Sequence, residues 1–384
     1  LQSLGKRLKE IWEGEGTTGA SGALAAALRL LSFPYGAAVA LRNRLYDRGI
    51  LRQERLPRPV ISLGNLTVGG TGKTPTVILL ANLLREKGRR PAVLSRGYGG
   101  RAKAAVNIVS DGTRILMGWR EAGDEPVLIA KAAPGVPVLT GPKRVLTGRA
   151  AVESFGADCL ILDDAFQHRA LCRDLDIVLL DAARPFGNGF LLPRGPLRET
   201  PEALGRAHLL LRTGGAEEEE PLYEPAALGR AGLTLRREAT DDLEASSGAL
   251  PPLPFFRGIH RPLCLVEADT GRLLPLSELR DRRVFAFAGI AHPEAFLETL
   301  TALGAQVVSF QAFPDHHPYS PSDIADIRRF AKADGAERII TTEKDGIRLA
   351  DFPDFLPDIS LLRIGMKISP AEPFAELIFS ALAY

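Results

Sequence analysis

Along most of the chain, short apolar runs alternate with segments whose apolar residues recur at helical spacing. Residues 1–55 read as helical. "RPVISLGN" is then an apolar run of strand length that enters a glycine-rich loop. "TPTVILLANLLREKG" follows with helical spacing, a basic last turn and Gly88 as a stop. The alternation continues. "RPAVLSRGYGG" is a strand opening into a loop, and "VPVLTG", "DCLILDDAFQH", "LDIVLLDA" and "AHLLLRT" carry further strands. "DEPVLIAKAAPG" and "RVLTGRAAVESFG" read as helices. Strands alternating with helices predict an α/β fold, a parallel sheet covered on both faces.

The pattern breaks after residue 214. "GGAEEEEP" is acidic and reads as a solvated loop, and the stretch up to the proline cluster "LPPLPFF" is weakly patterned. Order returns at "RRVFAFAGIAHPEAFLETLTALGAQVVSF", read as strand, loop, helix and strand. "SPSDIADIRRFAKADGAERIITTEKD" adds a helix and a strand. The expected organisation is an N-terminal helical segment over 1–55, a core over 56–214, and a second, smaller α/β lobe over 215–384. No internal repeat is visible.

Composition narrows the classes. The 384 residues are 45% hydrophobic and 24% charged, ordinary for one large or two ordinary globular domains. A net charge of +2 gives no broad basic surface for nucleic acid, though a local patch is compatible with it. Cys159, Cys172 and Cys264 form no metal spacing, and their odd number suits a reducing compartment. No secretory signal peptide is evident. The stretch "SGALAAALRLLSFPYGAAVALRNRLYDRGILR" begins apolar and turns basic. Arg29 and Pro34 interrupt it, so no run is expected to reach the ~18 apolar residues of a spanning helix. With Arg42, Arg44, Arg48 and Arg52 following, it suits a helix lying in a membrane interface with anionic headgroups. Two ordinary helices packed on the domain would give the same pattern.

The chemistry is concentrated in "NLTVGGTGKTP". Thr67 to Thr74 fit the phosphate-loop pattern G-x-x-x-x-G-K-[ST] except that threonine holds the first position. The loop therefore comprises Thr67, Val68, Gly69, Gly70, Thr71, Gly72, Lys73 and Thr74, between a strand and a helix. Its glycines let backbone N–H groups turn toward an anion, Lys73 can reach the β- and γ-phosphates of a nucleotide, and Thr74 can offer its hydroxyl to Mg²⁺. "LILDDAFQH" ends an apolar strand in Asp163 and Asp164, where a carboxylate can hold the metal. Asp163 is preferred for Mg²⁺ and Asp164 for orienting its surroundings. No N-K-x-D base-reading motif is present, and "TTEKD" at 341–345 resembles one only loosely. A small-molecule kinase needs a carboxylate near the acceptor hydroxyl. "EAGDEP" offers Asp124 and Glu125 at a helix start, and "FPDHHPYS" offers Asp315, His316 and His317 in the second lobe. Asp124 as a helix cap and the histidines as a surface or metal-binding pair are the competing readings.

Taken together, "LRNRLYDRG", "VISLGNLTVGGTGKTP", "VLSRGYGG", "EAGDEP", "ILDDAFQHR", "LLPRGPLRE", "FPDHHPYS" and "TTEKD", in this order over about 41–345, resemble the tetraacyldisaccharide 4′-kinases, the lipid A 4′-kinases of Gram-negative bacteria. The resemblance implies a P-loop NTPase-like core. The implied reaction transfers the γ-phosphate of ATP, with Mg²⁺, to the 4′-hydroxyl of tetraacyldisaccharide 1-phosphate, giving lipid IVA. It also implies work at the cytoplasmic face of the inner membrane, which favours the interfacial reading of the N-terminal segment.

Residue roles follow from the same resemblance. Asp124 matches the family's general base and His316 the histidine that pairs with it, a pairing that would couple catalysis to closure of the two lobes. Arg198 of "GPLRE" matches an active-site arginine. Gln167 and His168 line the same site, and Arg96, at the end of the second strand, is either placed to face one of the two anionic substrates or an ordinary surface arginine. Arg194 departs from the family's usual small residue, and 215–280 carries no recognisable motif. A slow P-loop nucleotide hydrolase and a soluble-sugar kinase are the alternatives. The first would not need Asp124 and His316, and the second would not need the apolar N-terminal segment.

Overall fold

A computed structural model describes residues 10–12, 19–214 and 253–382. Most of the acidic run after Gly214 and the start of the proline cluster lie outside the described residues. The expected strand–helix alternation of the core is present: β1 (Val60–Asn65), α2 (Lys73–Glu86), β2 (Pro91–Ser95), α4 (Asp124–Ala132), β4 (Val138–Thr140), α5 (Arg144–Phe155), β5 (Cys159–Leu162), β6 (Leu175–Asp181) and β7 (Leu209–Thr213). Two elements were not anticipated, an edge strand β3 (Asn107–Ser110) and the short helix α3 (Trp119–Ala122).

The strands read as continuous apolar runs because both faces of the sheet are covered. β1 is buried at every position. Alternate side chains then serve opposite layers. Ile61, Leu63, Ile161, Ile177 and Leu179 pack with Val77, Leu80 and Leu84 of α2 and with Val127 and Ile129 of α4. Val60, Leu160 and Leu162 pack on the other side with Val145 and Ala151 of α5.

The second half contributes β8 (Phe255–Glu267), β9 (Leu273–Leu274), β10 (Arg283–Ala288), α6 (Pro293–Ala302), β11 (Gln306–Ala312), α7 (Pro321–Ala333), β12 (Arg338–Thr342), α8 (Glu343–Leu349), β13 (Ile359–Ser369) and α9 (Ala371–Ser380). All the strands belong to one sheet, in the order β11-β10-β12-β13-β8-β7-β6-β1-β5-β2-β4-β3, with β9 on β8. The start of β8 runs parallel to β7, Leu210 opposite Phe255, while Arg257 to Glu267 pair antiparallel with β13. That long ribbon joins two otherwise largely parallel halves. In the second half, Val284, Ala286 and Ala288 face Phe296 and Leu300 of α6, and Phe285 and Phe287 face Ile324 and Ile327 of α7.

The N-terminal helix α1 (Gly19–Asp47) runs unbroken through Arg29 and Pro34. This corrects the expectation of an interrupted segment. By length and hydropathy alone, Gly22–Asp47 is long and apolar enough to cross a membrane, with mean hydropathy 1.6. Its two faces are inverted relative to a soluble helix. The face toward the protein carries polar contacts: Ser32 Oγ donates to the Leu191 carbonyl, the Tyr35 hydroxyl to the Arg198 carbonyl, and Arg42 pairs with Glu199. The face toward solvent is apolar, with Leu30 71% exposed and Phe33 65% exposed, beside Leu31 and Leu41. A soluble domain does not gain by displaying such a stripe.

Candidate active site

β1 lies between β5 and β6, all parallel, so the loop after β1 and the acidic turn after β5 emerge at the same edge of the sheet. Thr67 is buried and bridges Leu197, and the Val68 N–H donates to the Pro196 carbonyl. The threonine in the first loop position thus anchors the loop to the segment that carries Arg198. Asn65 Nδ2 donates to Thr71 Oγ1, and Thr213 Oγ1 to the Thr71 carbonyl, which fixes the middle of the loop. Gly69 and Gly70 are exposed at the tip. Gly72 precedes α2 with φ +78°, and a Cβ there would lie 2.7 Å from His260 Nε2, so the turn into the helix needs glycine. Lys73 and Thr74 open α2, where unpaired helix N–H groups favour an anion.

Lys73 Nζ is 3.8 Å from Asp164 Oδ1. Arg198 Nη1 donates to both Asp164 oxygens, at 2.8 and 3.0 Å. Burial pushes the Asp164 carboxyl up, but Lys73 and Arg198 more than offset it and hold the group below its ordinary range. Gln167 Nε2 donates to the Asn65 carbonyl, and Arg198 Nη1 is 3.5 Å from Gln167 Oε1. Asp164, Gln167 and Arg198 therefore form one group beside the loop. Asp163 points elsewhere. It is buried and accepts from Ser95 Oγ at 3.0 Å. Burial and the Glu125 and Asp164 carboxylates raise it to about 7. This accumulation of negative charge at low dielectric is what a divalent cation would neutralise. Among the described residues no three His, Cys, Asp or Glu side chains form a cage of their own.

Asp124 and His316 come together from the two halves of the chain. Gly123, with φ +92°, packs so tightly that a Cβ would lie 2.4 Å from the Tyr98 carbonyl, and it delivers Asp124 to the start of α4. Asp124 is 5% exposed. Its Oδ1 accepts from the Glu125 N–H at 3.0 Å, and its Oδ2 lies 2.9 Å from His316 Nδ1. Burial raises the Asp124 carboxyl, but His316, Lys344 and Arg348 together bring it below its ordinary value. The bond to Asp124 raises the His316 imidazole, against burial and Lys344. The two adjacent histidines part company: His317 stacks on Phe313 and meets Asp323 at 3.1 Å, so they are not a ligand pair.

The remaining expected residues are Arg96 and His168. Arg96 is exposed just beyond β2. His168 Nε2 is buried without a hydrogen-bond partner, and burial, together with Arg144, Arg173 and Arg96, pushes the imidazole down to about 4, which keeps it neutral. Three neighbours escaped the reading of the sequence. Lys344 Nζ lies 3.3 Å from His316 Nε2, 3.4 Å from Asp315 and 3.5 Å from Glu125. Arg348 Nε lies 3.9 Å from Asp124 Oδ2. Arg144 is buried at the start of α5, donates to the Gly141 carbonyl and feels both Asp163 and Asp164. Lys344 sits inside the quoted "TTEKD", which was the available signal. Nothing in "GPKRV" singled out Arg144.

The family model of tetraacyldisaccharide-1-P 4′-kinase matches residues 24–383. The tetraacyldisaccharide 4′-kinase of Syntrophus aciditrophicus is 51% identical over 98% of this chain and 98% of its own. That of Anaeromyxobacter dehalogenans strain 2CP-C is 48% identical over 89% of this chain and 86% of its own. The crystal structure of Aquifex aeolicus LpxK in complex with ATP superposes with a TM-score of 0.73 at 33% identity, covering 94% of this chain and 99% of that one. The chain belongs to the tetraacyldisaccharide-1-P 4′-kinase family.

Proposed function

We propose that the protein transfers the γ-phosphate of ATP to the 4′-hydroxyl of tetraacyldisaccharide 1-phosphate, forming lipid IVA in lipid A biosynthesis. Family membership supports the reaction. The observation that carries it is a carboxylate–imidazole pair, buried Asp124 and half-exposed His316, whose neighbour Glu125 acts on Asp163, next to the Asp164 that pairs with Lys73 of the phosphate loop. A nucleotide hydrolase would need the loop but no such acceptor-side pair.

In this reading the loop 67–74, through N–H groups other than that of Val68, and the Lys73 ammonium hold the ATP phosphates, and Arg198, kept in place by Asp164, faces the charge that develops during transfer. Thr74 and Asp163 would hold Mg²⁺, which supplies charge neutralisation to the phosphate oxygens. Asp124 accepts the proton of the 4′-hydroxyl. His316 holds one carboxylate oxygen, and the Glu125 N–H directs the other. Arg96, Gln167 and His168 belong to the substrate-facing rim. The core over 56–214 handles the nucleotide, and 215–384 contributes the acceptor side through His316.

The outward apolar stripe of α1 supports attachment to a membrane surface, at the cytoplasmic face of the bacterial inner membrane, where the substrate's acyl chains can stay in the bilayer. The test is transfer of label from MgATP to tetraacyldisaccharide 1-phosphate in detergent micelles. Label at the 4′ position, absent with Lys73→Ala, is expected. Loss of ATP without labelled lipid would instead identify a hydrolase.

A further inference from the structure

Arg348 is 1% exposed and sits on α8, which packs against α4. Its Nη2 donates to Asp345 Oδ1 at 2.6 Å and to the Gly289 carbonyl at 2.9 Å. Its Nε and Nη1 are buried with no hydrogen-bond partner, and Nε lies 3.9 Å from Asp124 Oδ2. A buried guanidinium with two idle donors carries a desolvation cost that a structural arginine would be expected to avoid. Beyond Asp345, the carboxylate beside these donors is that of Asp124.

The same guanidinium also reaches the other member of the pair. The Gly289 carbonyl that accepts from Arg348 accepts from the His316 N–H at 3.2 Å as well. His316 stands at φ +57°, an uncommon conformation for a residue other than glycine, and it needs such external support. The Gly289 N–H in turn donates to both oxygens of Asp345, at 3.1 and 3.2 Å. Asp345 is fully buried and also accepts from the Tyr319 hydroxyl at 2.8 Å and from Thr342 Oγ1 at 2.6 Å, so it is a fixed point.

We propose that Arg348 is a positioning residue for phosphoryl transfer: anchored on Asp345, it bears on the Asp124 carboxylate directly and on the His316 backbone through the Gly289 carbonyl. This rests on the reading of Asp124 as the proton acceptor. Arg348 does not touch the substrates. It sets where Asp124 Oδ2 is held, and through that where the other oxygen points.

The test is a double-mutant cycle on the full chain, Arg348→Met with Asp124→Asn, reading kcat and the KM for MgATP. Arg348→Met is expected to lower kcat by about 10- to 100-fold with the KM for MgATP within about twofold. In the Asp124→Asn background the same substitution is expected to change kcat less than about threefold, because its route of action is already gone. Equal losses in both backgrounds would overturn the proposal and leave Arg348 a purely structural arginine. A near-normal kcat for Asp124→Asn alone would overturn the proton-acceptor reading itself, and the positioning role with it. If the Met variant does not fold, Arg348→Lys carries the same cycle. Its ammonium keeps the charge but cannot span Asp345, Gly289 and Asp124 together. The same non-additive loss supports the proposal, and additive loss or wild-type kcat overturns it.

Discussion

His316 Nδ1 and Asp124 Oδ2 are 2.9 Å apart although 192 residues separate them in the chain. The contact draws on both halves of the sheet: Asp124 begins a helix of the nucleotide half, and His316 follows β11 of the other. The two residues expected to meet across the halves are within hydrogen-bond distance in this arrangement. Its electrostatics have a definite pH window. Asp124 is held below its ordinary value, so its contribution to stability is present above the ordinary carboxylate pKa and is lost as pH falls through the lowered value. His316 is raised above 6.5, so its contribution is present below 6.5 and is lost as pH rises through the raised value.

The first prediction concerns that histidine. The bond to Asp124 is the largest influence raising it, while burial and Lys344 act the other way. In Asp124→Asn the His316 pKa is expected to fall from above 6.5 toward or below it. A histidine-selective NMR titration of the two proteins reads this directly. An unmoved His316 resonance would mean that the carboxylate does not control it.

Asp163 makes the opposite prediction. Its carboxyl is raised to about 7 by burial and by two neighbouring carboxylates. Ionising it in the metal-free protein is therefore unfavourable. That penalty is present above pH 7 and is relieved as pH falls toward the ordinary carboxylate value. Asp163→Asn should raise the thermal midpoint of the metal-free protein at pH 8 while abolishing Mg²⁺-dependent turnover. Wild-type Mg²⁺ affinity should weaken as pH drops below 7, because the metal must displace a proton. Calorimetric Mg²⁺ titration at pH 6 and 8 in the presence of a non-hydrolysable ATP analogue checks the last point. Equal affinities at the two values would place the metal on another group.

The parts of this site that were legible in the sequence share a cause. The loop 67–74, Asp163 and Asp164 declare themselves because chemistry and fold coincide there: a buried strand must end, and the polar residues at its end stand out against the apolar run before them. Asp124 and His316 stood out locally only as open candidates, a carboxylate at a helix start and a histidine in a polar turn, and their roles, like Arg198 itself, were reached through resemblance to a family. Arg348 and Arg144 were not reached. They look like ordinary helix residues, and their burial depends on which helix packs on which strand, a long-range outcome that periodicity does not encode. The single sheet has the same origin, because β8 pairs with β7 at one end and with β13 from Arg257 to Glu267. Helix α1 was misjudged for a related reason. Pro34 marks a probable break in a sequence, but here the helix continues past it.

Lys344 supplies a third prediction. Its ammonium stands 3.3 Å from His316 Nε2, between Asp315 and Glu125, and lowers the His316 pKa. Lys344→Ala should therefore raise the His316 pKa further. It should also lower kcat by about threefold to tenfold, since the imidazole loses its second partner and its fixed orientation. The KM for MgATP is expected to stay within about twofold. The histidine titration and steady-state kinetics test the two halves separately. A fall in the His316 pKa would mean that the lysine acts by some route other than its charge.

The last prediction concerns the outward face of α1. Leu30 and Phe33 lie on it, 71% and 65% exposed, while the polar contacts of Ser32, Tyr35 and Arg42 tie the opposite face to the 191–199 segment. Tyr35 donates to the carbonyl of Arg198, so α1 also braces the arginine that holds Asp164. Each large apolar side chain moved from water into lipid is worth about 1.5–3 kcal/mol, and a carboxylate in its place opposes insertion. Leu30→Glu combined with Phe33→Glu should reduce partition onto anionic phospholipid vesicles by more than about 100-fold, because both apolar gains are lost together. Folding should be preserved, because neither side chain packs in the core. Turnover should then split by presentation of the acceptor: a large loss with vesicle-embedded substrate and little change with detergent-dispersed substrate. Equal turnover in both presentations would show that the stripe does not serve to bring the enzyme to its lipid.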